Sequence, residues 1–134
     1  EPLDLPRGLK RARDHSVVVD CLTLWVANLM ERGLDSLLEA RRFLSAVEES
    51  GKRVIAVSNE VGMGIVPQNP LARRYRDLLG QVNALLAEAA QEAYLLVAGR
   101  ALPLGGGKVP AQEAKRPGSH GGEPDPGRSR DPGP

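Results

Sequence analysis

The chain has 134 residues, with 18 Lys and Arg against 17 Asp and Glu and a single cysteine. That length holds one domain, and the near-zero net charge excludes a dedicated nucleic-acid binder, which carries a clear basic excess. Cys21 alone excludes an internal disulfide framework and fits a reducing cytosol; with no membrane-spanning apolar run and no signal-peptide pattern, the expectation is a cytoplasmic protein. Residue 1 is Glu and the opening "EPLDLP" reads as mid-protein text, which predicts a piece of a longer protein.

In chain order, "SVVVDCL" at Ser16–Leu22 is a short β-branched apolar run, expected as a strand buried on both faces of a parallel sheet. "TLWVANLMERG" follows with helical propensity, Trp25 in its core, and Gly33 as its stop. A second helix is predicted from Asp35 to Ser50, with Leu37, Leu38, Ala40, Phe43, Leu44 and Val47 as its apolar stripe and Gly51 behind it. A second buried strand spans Arg53–Ser58. Pro70 then opens a long helix to Glu92, burying Leu71, Tyr75, Leu78, Leu79, Val82, Leu85, Leu86 and Ala89. Ala93–Gly99, "AYLLVAG", is the third strand. The alternation predicts an α/β fold with a mostly parallel sheet, right-handed crossovers and flanking helices. From 105 to 134 Gly and Pro dominate and Val109 is the one large aliphatic residue, so the tail is expected to be disordered and residues 1–104 to form the domain.

Ligands of such sheets gather beyond the carboxyl ends of the strands, where Asp20 and Cys21, the loop opening at Asn59 and Glu60, and Gly99 all fall. Asp20, at the end of "VVVD", has two readings of equal weight: a Walker B-type acid that holds Mg²⁺, or a cap on the following helix at "DCLT". The loop in "VSNEVGMGIVPQNPLARRYRD" is too apolar for a plain turn. Gly62 and Gly64 there permit positive φ and close backbone approach, and Val61, Met63, Ile65 and Val66 supply surface for a ligand, a neighbouring subunit or the domain itself. Glu60, beside Asn59 at the strand end, suits either accepting hydrogen bonds from a substrate hydroxyl or amide or an ordinary solvated position; Asn59 and Glu60 are the candidates on this substrate or active-edge loop. Arg73, Arg74 and Arg76 suit either phosphate contact at a helix start or a solvated face. His15 and His120 have no partner at useful spacing and receive no role. "SGKR" and "GGGKV" are decoys: no G-x-x-x-x-G-K-[ST] phosphate cradle is present in the 134 residues.

The stretches "PLDL" (Pro2–Leu5), "VVVDCLTLWVANLM" (Val17–Met30) and "VSNEVGMGIVPQNPLARRYRDLLGQVNALLAEAAQEAYLLVAG" (Val57–Gly99), in that order, resemble the bifunctional adenosylcobinamide kinase / adenosylcobinamide-phosphate guanylyltransferase family of cobalamin biosynthesis. The resemblance covers residues 1–104. It implies a RecA-like P-loop NTPase fold, Mg²⁺, ATP and GTP as substrates, and adenosylcobinamide and adenosylcobinamide phosphate as partners. It also implies GMP transfer through a guanylylated histidine, and a homo-oligomer for which a trimer is described. Asp20 matches the acidic Walker B position and inherits a nucleotide- or Mg²⁺-binding role. The family's P-loop and guanylylated histidine lie further towards the N-terminus, so the resemblance implies the C-terminal part of such a domain, inactive alone and prone to expose an apolar sheet edge. The alternative expectation is a non-catalytic RecA-like assembly or interaction module.

Overall fold

Residues 3–105 are described by a computed structural model; the tail expected to be disordered lies, Gly105 apart, outside the described residues. The element order is α1 (Leu5–Arg11), β1 (Ser16–Asp20), α2 (Leu22–Glu31), α3 (Ser36–Ser50), β2 (Arg53–Val57), α4 (Pro70–Ala89), β3 (Tyr94–Val97) and β4 (Arg100–Pro103). Local chemistry sets most of these bounds. Asp35 Oδ1 accepts from the Leu37 and Leu38 amides, both at 3.0 Å, to start α3, and Gly51 ends it in the left-handed region at φ 62°, where a Cβ would be strained. Asn69 caps α4 in the same way, accepting from Leu71 N at 2.8 Å, with Pro70 in the first turn.

β1 and β2 pair in parallel with Ser16 opposite Arg53 and Asp20 opposite Val57. Leu22, Trp25, Val26 and Leu29 of α2 meet Ala40, Phe43 and Ala46 of α3 and Leu79, Val82 and Leu86 of α4 in one core, closed by Leu9 of α1. Trp25 and Phe43 stack at a tilt, their rings 6.2 Å and 60° apart. Trp25 Nε1 donates to the Leu3 carbonyl at 2.8 Å and so ties down the segment before α1.

Three expectations require correction. The strands are not buried on both faces: Val17, Val19 and Val54 pack on the core, whereas Val18, Ile55 and Val57, one residue out of phase, remain exposed. Side chains alternate across a sheet, and among the described residues no element covers that second face. The third strand does not extend the parallel sheet. β3 pairs antiparallel with β4 in a separate two-stranded sheet, turning at Ala98 and Gly99. Both turn residues have positive φ, 50° and 72°, the signature of a type I′ hairpin, and this local closure satisfies the strand without a crossover. The helix stripes are also narrower than expected, since Leu38, Leu71 and Ala89 face outward. What holds is an α/β architecture with a short parallel sheet and flanking helices.

α1 and β4 were not anticipated from the sequence. The first had a signal: Asp4 Oδ1 accepts from Arg7 N at 3.1 Å and Pro6 sits in the first turn, an Asp-x-Pro start that the surrounding charge obscured. Lys52 Nζ, donating to the Leu9 and Ala12 carbonyls, holds the other end of α1.

Candidate functional site

The carboxyl ends of β1 and β2 lie side by side, which places Asp20 beside the segment leading to Asn59 and Glu60. Asp20 is exposed, and α2 is capped by Cys21 without a side-chain hydrogen bond. The helix-cap reading of Asp20 is therefore excluded. Its carboxylate makes no hydrogen bond or ion pair among the described residues. A groove of about 270 Å³ runs from Asp20 and Cys21 along β1, walled by Val17, Val19, Trp25 and Phe43.

The Asn59–Asn69 loop divides into a bolted base and a bare tip. Arg76 donates to the Gly62 carbonyl at 2.6 Å, and Arg73 donates to the carbonyls of Pro67, at 2.9 Å, and Gln68. These two arginines therefore brace the loop through one terminal nitrogen each, Arg73 Nη1 and Arg76 Nη2; Arg74 is exposed. Val61 packs on the core, whereas Met63, Ile65 and Val66 are 78%, 97% and 57% exposed. Internal packing thus accounts for the base of the loop and not for its tip.

Neither loop glycine adopts positive φ, which is confined to Gly33, Gly51 and Gly99 among the described glycines. The close approach at Gly62 is real but involves Glu60 rather than a second backbone. Glu60 Oε1 accepts from Gly62 N, and a Cβ at position 62 would stand 2.7 Å from that oxygen. The other Glu60 oxygen remains free of partners among the described residues. Asn59 differs: its amide and side-chain nitrogens both donate to Thr23 Oγ1, and its carbonyl accepts from Asn83. Most of its hydrogen-bonding capacity is committed within the protein, which leaves Glu60 as the available group at this strand tip.

Four participants escaped the sequence reading of the site: Thr23, Ser58, Tyr75 and Asn83. Asn83 carried a signal, since it lies one helical turn from both Leu79 and Leu86, a polar residue bordering an apolar stripe. Tyr75, grouped with the apolar face, sends its hydroxyl to the Thr23 carbonyl at 3.0 Å. Burial first, then the Cys21 thiol, push its ionisation above the ordinary 10.0.

No group of three or more potential metal ligands occurs among the described residues. A lone exposed carboxylate is not a cage. It fits Mg²⁺ in the mode where one or two protein acids and the substrate phosphates share the coordination sphere. No helix among the described residues is long and apolar enough to cross a membrane.

Comparison with known proteins follows the same stretch of chain. The family model described as cobinamide kinase / cobinamide phosphate guanyltransferase matches residues 1–104. The bifunctional adenosylcobalamin biosynthesis protein CobU of Salmonella typhimurium is 39% identical over 105 aligned residues, covering 66% of this chain and 57% of the relative. CobP of Pseudomonas aeruginosa, named for the same bifunctional role, is 39% identical over 112 residues, covering 79% of this chain and 64% of its own. CobU of Escherichia coli is 37% identical over 100 residues, covering 62% and 54%. The chain thus spans between 54% and 64% of the length of these curated relatives. With the family model matched over residues 1–104, the chain belongs to the cobinamide kinase / cobinamide phosphate guanyltransferase family.

Proposed function

We propose that residues 1–104 form the C-terminal part of an enzyme domain that phosphorylates adenosylcobinamide with ATP or GTP and then transfers GMP from GTP to the new phosphate, giving adenosylcobinamide-GDP. The observation that carries this reading is the family match over those residues. Asp20, exposed at a strand tip and without a partner among the described residues, supports it, because phosphoryl transfer depends on positioning and charge neutralisation more than on covalent help. Asp20 would hold Mg²⁺, which supplies neutralisation of phosphate charge, while Glu60 would bind a polar group of the corrinoid. In this reading the fold is the matching portion of a RecA-like P-loop domain. The nucleotide cradle and the histidine that accepts GMP would come from residues outside the 134.

The same reading extends to cytoplasmic placement and to a homo-oligomer, with a trimer as the form the resemblance implies. The bare apolar loop tip supports assembly, and it equally supports the second reading, a non-catalytic assembly module.

A fusion separates the two readings. The N-terminal part of the Salmonella typhimurium relative that this chain does not cover is joined to residues 1–134, and the purified protein is given adenosylcobinamide, Mg²⁺ and GTP. Chromatography should reveal adenosylcobinamide-GDP, and Asp20→Asn should lower kcat by about 100-fold or more with the circular dichroism spectrum unchanged. A folded fusion that makes no product, beside an active relative, would favour the assembly module.

A further inference from the structure

The paired residues of the parallel sheet end at Asp20 and Val57, so the ladder does not reach Asn59 and Glu60. Another contact must set where the Glu60 tip stands relative to Asp20. Thr23 occupies that junction, three residues beyond Asp20 on the first turn of α2. Its Oγ1 accepts twice from one residue, from Asn59 N at 3.1 Å and from Asn59 Nδ2 at 3.0 Å. A hydroxyl has two acceptor lone pairs, and this pair of bonds uses both. The backbone of Thr23 is itself gripped, its carbonyl accepting from Tyr75 Oη at 3.0 Å. On the opposite side of Asn59, Asn83 Nδ2 donates to the Asn59 carbonyl at 3.0 Å, and Asn83 Oδ1 accepts from Ser58 Oγ at 2.6 Å. The strand tip is therefore held between α2 and α4 at the residue next to Glu60.

We infer that Thr23 is a positioning residue that fixes the Glu60 strand tip relative to Asp20 through Asn59, with Asn83 as the second anchor. The significance for catalysis rests on the proposed function; the clamp itself is a property of the chain and is tested without activity. One bond to the backbone and one to the side chain of Asn59 set both the position and the rotation of that residue, which a single bond would leave free to pivot. Glu60 then leaves the clamp in a defined direction, and its carboxylate is turned back over Gly62 by the Gly62 amide.

The test is amide hydrogen exchange on the 134-residue chain and its Thr23→Val, Thr23→Ser and Asn83→Ala variants. Valine keeps the shape of threonine without the acceptor; serine keeps the acceptor. Thr23→Val should accelerate exchange at the hydrogen-bonded amides of Asn59 and Gly62 about tenfold, while the amides of Val26 and Leu29 stay as in the parent. Thr23→Ser should restore protection to within about twofold, and Asn83→Ala should give a smaller acceleration confined to the same residues. Parent-like exchange in Thr23→Val, failure of serine to restore it, or acceleration spread evenly into α2 would overturn the inference. Should the valine variant not fold, unaltered exchange at Asn59 and Gly62 in Asn83→Ala would overturn it alone. In the fusion protein, Thr23→Val should lower kcat and serine should restore it. An inactive fusion with the expected exchange pattern removes the functional reading and leaves the clamp; an active fusion with unmoved exchange does the reverse.

Discussion

The helical layer and the two strand pairs of this chain are finished to different degrees. Helices α1 to α4 satisfy their own backbone groups and bury one stripe each, so Leu22, Val26, Leu29, Phe43, Leu79 and Val82 reach 2% exposure or less. The strands depend on neighbours for both their hydrogen bonds and their faces. β1 and β2 bury one face and leave Val18 62% exposed, and β3 and β4 keep Leu96 73% exposed in a hairpin that, among the described residues, pairs only with itself. A helix can be completed by the face it turns inward, whereas a strand needs partners at its edges and cover on two sides. The carboxyl edge combines both conditions, with the loop base bolted to α4 by Arg73 and Arg76 and the loop tip bare.

That contrast is broken most severely from the helical side. Phe43→Ala removes the ring that meets Trp25 at 6.2 Å in the core and should cost about 3–5 kcal/mol, read as a lower urea midpoint and Tm. A variant as stable as the parent would mean that the helical core is not the seat of stability.

Tyr75 gives an intermediate test, because it joins α4 to the strand-tip network. Its folded ionisation lies above the unfolded 10.0, so the native state holds the phenolic proton more tightly. This contribution is fully present below about pH 10 and is lost as pH rises through the folded value. Urea midpoints followed from about pH 8 to pH 11 should fall at the alkaline end, and Tyr75→Phe should flatten that part of the profile. An identical alkaline slope in the phenylalanine variant would assign the fall to other groups.

The smallest change should come from the bare sheet face. Val18→Thr keeps the β-branched shape on an exposed position and should move stability by no more than about 0.5 kcal/mol. Val19→Ala, the adjacent inward position, should cost about 1 kcal/mol or more. Equal losses at the two positions would show that the outer face is covered in solution.

The candidate site was legible in part. Asp20 and Glu60 were visible because each carboxylate follows an apolar strand at its carboxyl end, a position that depends only on local pattern. Asn59 adjoins Glu60 in the sequence, but its commitments to Thr23 and Asn83 span 36 and 24 residues, and no local rule pairs residues at those separations. The arginines show the same limit. Their position at the start of α4 suited an anion or a solvated face, and neither reading anticipated the loop carbonyls that Arg73 and Arg76 hold.

What the sequence determined by itself was the identity and approximate place of α2, α3, α4, β1, β2 and β3, and the family. Alternating apolar periods, Asp35 and Asn69 caps and the Gly51 stop act within a few residues and are decided before any tertiary contact forms. Only the tertiary structure decided which sheet face is covered, that β3 folds back on β4, and that Thr23 joins the two strand tips. Each of those outcomes depends on which surfaces meet, and a periodic pattern states that a face is apolar without stating what lies against it.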